Sequence, residues 1–209
     1  MDTFQNEIRI GRITTSEKEI RDILKAWLLV SFAFAVVLSG SVFTSEFYSK
    51  FIISSLTVGV GFLLHELGHK IVAQRYGCLA EFRSFDSMLL LAVLMSFFGF
   101  VFAAPGAVMI AGHVSKRKSG WISAAGPIVN LLLAAVFLAL TFVHLPPLLA
   151  ATAFYGFTIN SWLALFNMIP FGLFDGKKIL GWSRIAYGLI VAAAFSFMIV
   201  QYFLPMAKV

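Results

Sequence analysis

The sequence predicts an all-α integral membrane protein, a bundle of about five or six transmembrane helices. Of its 209 residues, 60% are hydrophobic and only 12% are charged, which is about half the charged fraction of a typical soluble domain. Several apolar runs reach the roughly 20 residues that a helix needs to cross a bilayer. They cover residues 26–45, 51–73, 121–143, 149–169 and 185–204. The single cysteine, Cys78, excludes an internal disulfide.

The chain begins with a polar segment. Its first 25 residues are polar and charged, a composition that does not fit a cleavable signal peptide. Within it, EIRIGRI alternates as a short strand does, or lies on the membrane surface. The sequence SEKE at 16–19 predicts a capping box, with Ser16 as N-cap and Glu19 at N3. We therefore expect a helix to begin there and to continue into the first span.

A further apolar run, 87–112, breaks at Pro105–Gly106 and either crosses the membrane once or returns. The choice depends on the basic clusters at 1–25, 70–83, 116–118 and 177–184. A single crossing places the last two outside, against the positive-inside tendency, whereas a re-entrant run places all four, with the N-terminus, in the cytoplasm. Non-helical backbone at membrane depth is tolerated only against protein or a wet cavity. We therefore expect a re-entrant run whose non-helical part, 104–112, lies beside a site.

The second apolar run contains ionisable side chains, in GFLLHELGHKIV at 61–72. Residues four apart on a helix share a face, so His65 and His69 present two imidazoles to one point. Glu66 can reach a water in an open coordination position. H-E-x-x-H is the zinc hydrolase pattern, with two ligands and the glutamate as general base. The alternative, three polar side chains merely satisfied in a bundle core, is less favoured because ionisable groups are costly at this depth.

A catalytic zinc site takes three protein ligands and leaves a fourth position to water. His113 and His144 lie in or next to turns, and we interpret both as ordinary loop residues. Asp86 opens the re-entrant run and is interpreted as an interfacial charge or cap. Asp175 stands in FNMIPFGLFDGKKI, where Pro170 breaks a helix and aims a carboxylate sideways into the bundle. Asp175 is thus a candidate third ligand, with a turn aspartate capping the next segment as the alternative.

Three motifs follow one another along the chain. HELGH at 65–69 is an H-E-x-G-H sequence. AAGPIVN at 124–130 contains G-P-x-x-N, and NMIPFGLFDG at 167–176 is an N-x-x-P-x-x-x-x-D-G sequence. Together they resemble the site-2 protease family of intramembrane zinc metalloproteases of the M50 type, in which the three motifs belong to the first, middle and third core helices. The resemblance covers residues 51–176 and implies a short β-like membrane segment between the first two core helices, the place that the re-entrant run takes here.

The resemblance implies that His65, His69 and Asp175 bind Zn²⁺ and that Glu66 activates the water. It also implies that Asn167 positions the substrate peptide or stabilises the oxyanion. The activity it implies is hydrolysis of peptide bonds in or near transmembrane segments, as in regulated intramembrane proteolysis. The partners are then a transmembrane protein substrate and the lipid bilayer. The expected location is the cell membrane, which the chain crosses several times, with the N-terminus and the active site on the cytoplasmic side.

We expect one polytopic domain over 1–209, because too little polar chain remains for a separate soluble domain. It divides into an N-terminal segment with the first span (1–50), the protease core (51–176) and a C-terminal span (177–209). The net charge of +6 lies in short connections between apolar runs, so we attribute it to topology and expect no nucleic-acid partner.

Two rival functions are considered. A catalytically idle relative that acts as a membrane scaffold usually loses a ligand or the base, whereas this chain retains them. A metal-ion transporter would need further ionisable residues along other spans. The interiors of 26–45, 121–143 and 185–204 contain none.

Overall fold

Helices dominate the computed structural model, which describes residues 7–11, 13–101 and 105–204. In chain order its elements are β1 (Glu7–Ile10), β2 (Ile13–Ser16), α1 (Glu17–Ser39), α2 (Phe47–Ser54), α3 (Val60–Arg75), β3 (Leu79–Ser84), α4 (Asp86–Ser96), β4 (Gly106–Ala111), α5 (Lys116–Thr141), α6 (Pro147–Asn167), α7 (Asp175–Trp182) and α8 (Arg184–Val200). A π-helical turn, Ser55–Gly59, joins α2 to α3 as one continuous helix. A 3-10 turn, Gln201–Phe203, extends α8.

Among the described residues, five helical stretches are long and apolar enough to cross a membrane. They are Glu17–Ser39, Phe47–Arg75, Lys116–Thr141, Pro147–Asn167 and Arg184–Phe203. They overlap the five predicted apolar runs, so the predicted fold class is confirmed and the chain is a membrane protein. The first stretch differs most from its prediction of 26–45. It ends at Ser39 because Gly40, at φ 72°, closes the helix in the left-handed conformation.

The N-terminal segment forms a hairpin and then enters α1. Its first half is the strand β1, which agrees with the interpretation of EIRIGRI as a short strand. Arg12 lies outside the described residues. Only half of the predicted capping box forms. Ser16 Oγ accepts from the Glu19 N–H at 3.2 Å, but the Glu19 carboxylate turns inward and accepts from Thr15 Oγ1 at 2.7 Å.

The region between the first two core helices contains an antiparallel pair, β3 and β4, with its register running from Leu79↔Ala111 to Ser84↔Gly106. Because Ser84 and Gly106 are cross-strand neighbours, the chain between them leaves the sheet and returns to the same place, as a re-entrant run does. That run contains the helix α4, and residues 102–104 lie outside the described part. Strand β3 was not predicted, since its sequence was interpreted as a basic connection.

Helix α5 is the centre of the bundle. It carries the middle motif and packs against α3, α6 and α7, which carry the other two motifs. Outside this group, α1 packs on α2, α4 and β3, so it closes the side of the bundle where the sheet lies. This arrangement brings the end of α3, the sheet and the start of α7 to one region.

Candidate metal centre

The three predicted zinc ligands meet at one point. His65 and His69, one turn apart on α3, have their Nε2 atoms 3.0 Å from each other. Asp175 Oδ2 lies 3.3 Å from His65 Nε2 and 3.1 Å from His69 Nε2. All three side chains are buried. Two separate parts of the chain thus deliver one compact set of donor atoms.

The outer nitrogen of each imidazole faces a carbonyl-type oxygen. His65 Nδ1 lies 2.6 Å from Asn130 Oδ1, and His69 Nδ1 lies 2.7 Å from the backbone oxygen of Ile122. Such oxygens only accept, so each Nδ1 carries a proton, and in the neutral ring that binds a metal each Nε2 has a lone pair. In that form the two Nε2 lone pairs and the Asp175 carboxylate converge on one point.

This donor set fits zinc. Two neutral imidazole nitrogens and one carboxylate oxygen are ligands typical of a catalytic zinc site. Donors about 2.0 to 2.1 Å from a tetrahedral ion lie about 3.3 Å from one another, close to the 3.0, 3.3 and 3.1 Å separations here. A divalent cation also removes the mutual repulsion of the buried lone pairs. His65, His69 and Asp175 are therefore the residues that would hold Zn²⁺.

A network of buried amides orients His65. Asn130 on α5 donates its two amide N–H groups, to the Gly61 oxygen at 3.2 Å and to Asn160 Oδ1 at 3.0 Å. Because both donors are used, its Oδ1 must be the acceptor for His65. Asn160 on α6 is held in turn by its own bond to the Gly156 oxygen at 2.9 Å. Both amides are completely buried.

Asn160 was not singled out from the sequence. Its signal was present, since a polar side chain inside the apolar run 149–169 is expected to face the bundle interior rather than lipid.

Close backbone approach brings α5 and α7 to the centre. A Cβ on Gly126 would lie 2.5 Å from His69 Nε2 and 2.6 Å from His65 Cε1, so only glycine lets α5 contact both imidazoles. A Cβ on Gly176 would lie 2.2 Å from the Met168 oxygen. Glycine there allows the chain to fold back at the end of α6 and to begin α7 against it.

Asp175 is the first residue of α7, and its carboxylate does not cap that helix. Its Oδ2 atom instead faces the Nε2 atoms of both imidazoles. The carboxylate is therefore placed as a metal ligand rather than as a helix cap.

Glu66 follows His65 on α3 and lies against the sheet. Its carboxylate accepts from the Val108 N–H of β4 at 3.1 Å. Val108 pairs with Phe82 across the sheet, and its N–H points to Glu66, away from β3. The unpaired side of β4 therefore faces the predicted general base.

The remaining candidates are not among the three converging donors. Asn167, the last residue of α6, donates its amide to the Leu163 oxygen of its own helix at 2.9 Å, and its role in catalysis stays a prediction. His113 and His144 are exposed outside regular elements, as expected of loop residues. Asp86, in the first turn of α4, bonds Lys25, whose ammonium lowers the pKa of this exposed carboxyl.

Replacing Asn160 with leucine should weaken zinc binding by about 10- to 100-fold, the usual effect of removing a group that orients a ligand. Without the Asn160 acceptor, the Asn130 amide loses one bond that fixes its oxygen toward His65. The measurement is a zinc competition titration of the purified protein against a chelator.

The matched control is Thr152→Val on the same helix, whose hydroxyl donates to the Leu148 oxygen of its own helix. Equal zinc affinity in Asn160→Leu and in this control would contradict the role of the amide network.

Known proteins that are similar to this chain are named as zinc metalloproteases. The protein named "Putative zinc metalloprotease MJ0611" of Methanocaldococcus jannaschii is 36% identical over 191 residues, which are 90% of this chain and 96% of that protein. "Putative zinc metalloprotease Rip3" of Mycobacterium tuberculosis, in two strains, is 32% identical over 123 residues, 56% of this chain and 27% of Rip3. No protein-family model and no solved structure matches the chain. The extent of the archaeal match, together with the three motifs, shows that the chain belongs to the site-2 protease-like family of zinc metalloproteases.

Proposed function

We propose that this protein is an intramembrane zinc metalloprotease that hydrolyses peptide bonds in or near transmembrane segments of other membrane proteins. The observation that carries the proposal is the convergence of His65, His69 and Asp175 inside a bundle of apolar helices. The adjacent Glu66 supplies the group that a hydrolase needs in addition to the metal ligands. The names of the similar proteins agree with the metalloprotease part of the proposal.

Each group has a distinct task in this mechanism. When bound by the two histidines and Asp175, zinc would lower the pKa of water toward neutrality and polarise a peptide carbonyl. Glu66 takes a proton from the attacking water and delivers it to the leaving amine nitrogen as the carbon–nitrogen bond breaks. The outer bonds of both imidazoles keep their Nδ1 atoms protonated, so His65 and His69 stay neutral ligands throughout.

The substrate must offer an extended backbone, because the peptide bonds of a helix are shielded by its own hydrogen bonds. In the described part of the chain, β4 pairs only with β3, and its other edge faces Glu66. A locally unwound segment of a transmembrane substrate that pairs with this edge would bring a peptide carbonyl next to the general base. Addition of a strand to an exposed sheet edge is a common mode of peptide recognition.

Asn167 is the proposed donor to the oxyanion. An amide nitrogen carries two N–H groups, and its bond to the Leu163 oxygen uses one of them. The other can serve the developing negative charge, an interaction worth about 3 to 4 kcal/mol in comparable hydrolases.

We further propose that the protein resides in the cell membrane with its N-terminus and metal centre on the cytoplasmic side. Basic residues cluster near the helix ends that border the centre, at Arg75 at the end of the ligand helix, Lys116 at the start of α5 and Lys177 in α7. The connections at the opposite ends, 40–46 and 142–146, contain none. The positive-inside tendency then orients the bundle.

Glu66→Gln should retain bound zinc and lose cleavage by about 10²-fold or more, because the metal ligands stay intact while the proton carrier is gone. His65→Ala and Asp175→Asn should lose both zinc and activity. The measurement is zinc content together with cleavage of a single-span model substrate, using the purified full-length protein in lipid nanodiscs.

Wild-type cleavage by Glu66→Gln would contradict the mechanism. A wild-type protein that binds zinc but cleaves no transmembrane substrate in a broad panel would instead favour the idle scaffold.

The orientation is tested with single cysteines in a Cys78→Ala background. Phe43→Cys, in an exposed connection, should react with a membrane-impermeant thiol reagent on intact cells, and Arg117→Cys, exposed near the metal side, should react only after lysis. The opposite labelling pattern would contradict the proposed topology.

A further inference from the structure

A second buried glutamate lies beyond the ligand helix. Glu19, in the first turn of α1, is 0% exposed. Its carboxylate pairs with the buried Lys70 ammonium and accepts from Thr15 Oγ1 at 2.7 Å and from the Phe82 N–H at 2.9 Å. One side chain thus joins α1 to the ligand helix α3 and to the strand β3.

The two glutamates hold the same cross-strand pair from opposite edges. Phe82 and Val108 face each other in the antiparallel register of β3 and β4. At such a pair, both N–H groups can point outward, away from the partner strand. The outward N–H of Phe82 is bound by Glu19, and the outward N–H of Val108 is bound by Glu66.

These contacts close a ring. From α3 the ring runs through Glu66 to Val108 of β4, across the sheet to Phe82 of β3, and through Glu19 to Lys70, which returns it to α3. Lys70 directly follows the ligand His69. The separation between the edge of β4 and the helix that carries the metal ligands is therefore fixed from both sides of the sheet.

Stability alone does not account for this pair. Burying a carboxylate and an ammonium costs desolvation that their attraction often fails to exceed, and well-packed apolar residues can replace such pairs without loss. Both carboxylate oxygens of Glu19 are nevertheless bound, in a segment outside the core motifs. Selection of one geometry therefore explains this buried pair better than added stability does.

We propose that Glu19, together with Lys70, is a positioning residue for peptide hydrolysis. It holds the edge of β4 where a substrate strand presents its scissile carbonyl to Glu66, and it makes the N-terminal helix part of the catalytic unit. The inference rests on the proposed function. A misplacement of about 1 Å between reacting groups can cost about 10²-fold in rate, so a small shift of the sheet is enough to be measured.

The test compares variants that keep or remove the bond to Phe82. Glu19→Gln combined with Lys70→Met removes the buried charges but keeps an oxygen that accepts from the Phe82 N–H, and should cleave near the wild-type rate. Glu19→Leu with Lys70→Met removes that acceptor and should lower kcat about 10-fold or more, with zinc content and KM little changed. Glu19→Asp keeps the charge but withdraws it from β3, and should also lower kcat with zinc retained.

A coupling measurement separates positioning from general loss of structure. Val108→Pro removes the N–H that Glu66 binds, on the side of β4 that does not pair with β3, where proline is tolerated. If Glu19 acts through the position of Val108, adding Glu19→Leu and Lys70→Met to the Val108→Pro variant should lower kcat little further. Fully multiplicative losses would overturn the positioning role.

The control is Lys25→Met with Asp86→Asn, an exposed ion pair that also connects α1 to the re-entrant region, and its kcat should stay at the wild-type level. Wild-type kcat in both Glu19→Asp and the Glu19→Leu double variant would overturn the inference, and if the double variant does not fold, Glu19→Asp decides alone. Because Glu66→Gln is assayed in parallel, cleavage by that variant reports failure of the proposed function instead.

Discussion

The structure depends on two imidazole nitrogens whose lone pairs face each other, 3.0 Å apart, within an apolar bundle. Lone pairs at that separation repel, and burial prevents water from relieving the repulsion. A cation shared with the Asp175 carboxylate would resolve the conflict and bind α3 to α7. The close packing of α5 at Gly126 and the sharp return of the chain at Gly176 both serve this meeting of donors.

Further polar groups inside the bundle lie around the three donor side chains. Asn130 and Asn160 fix the imidazole of His65 on one side, and the Glu19–Lys70 pair supports the sheet on the other. Such groups are expensive in a membrane unless each of them finds its partners. Here each of these four side chains is satisfied by named contacts. Their placement near the centre indicates that their cost is tied to the chemistry of the site.

Much of this arrangement is visible in the sequence because it rests on local patterns. Spans follow from the length of the apolar runs, and His65 and His69 follow from helical spacing. The helix break at Pro170 made Asp175 a candidate ligand, and the family motif selected that role over the capping alternative, since nothing local brings it to α3. Strand β3 was not predicted because Arg83 was counted with a basic connection, whereas in the fold it is a buried residue of the strand. Glu19 was assigned to a capping box, a short-range pattern that tertiary contacts with Lys70 and Phe82 override.

The proposed function requires that both histidines and Asp175 share one zinc ion. Zinc K-edge X-ray absorption of the purified protein measures this directly. We expect one ion per chain, with two imidazole nitrogens and one or two oxygens at about 2.0 to 2.2 Å, and loss of one oxygen ligand or of the metal in Asp175→Asn. A spectrum without imidazole scattering, or one unchanged in Asp175→Asn, would contradict it.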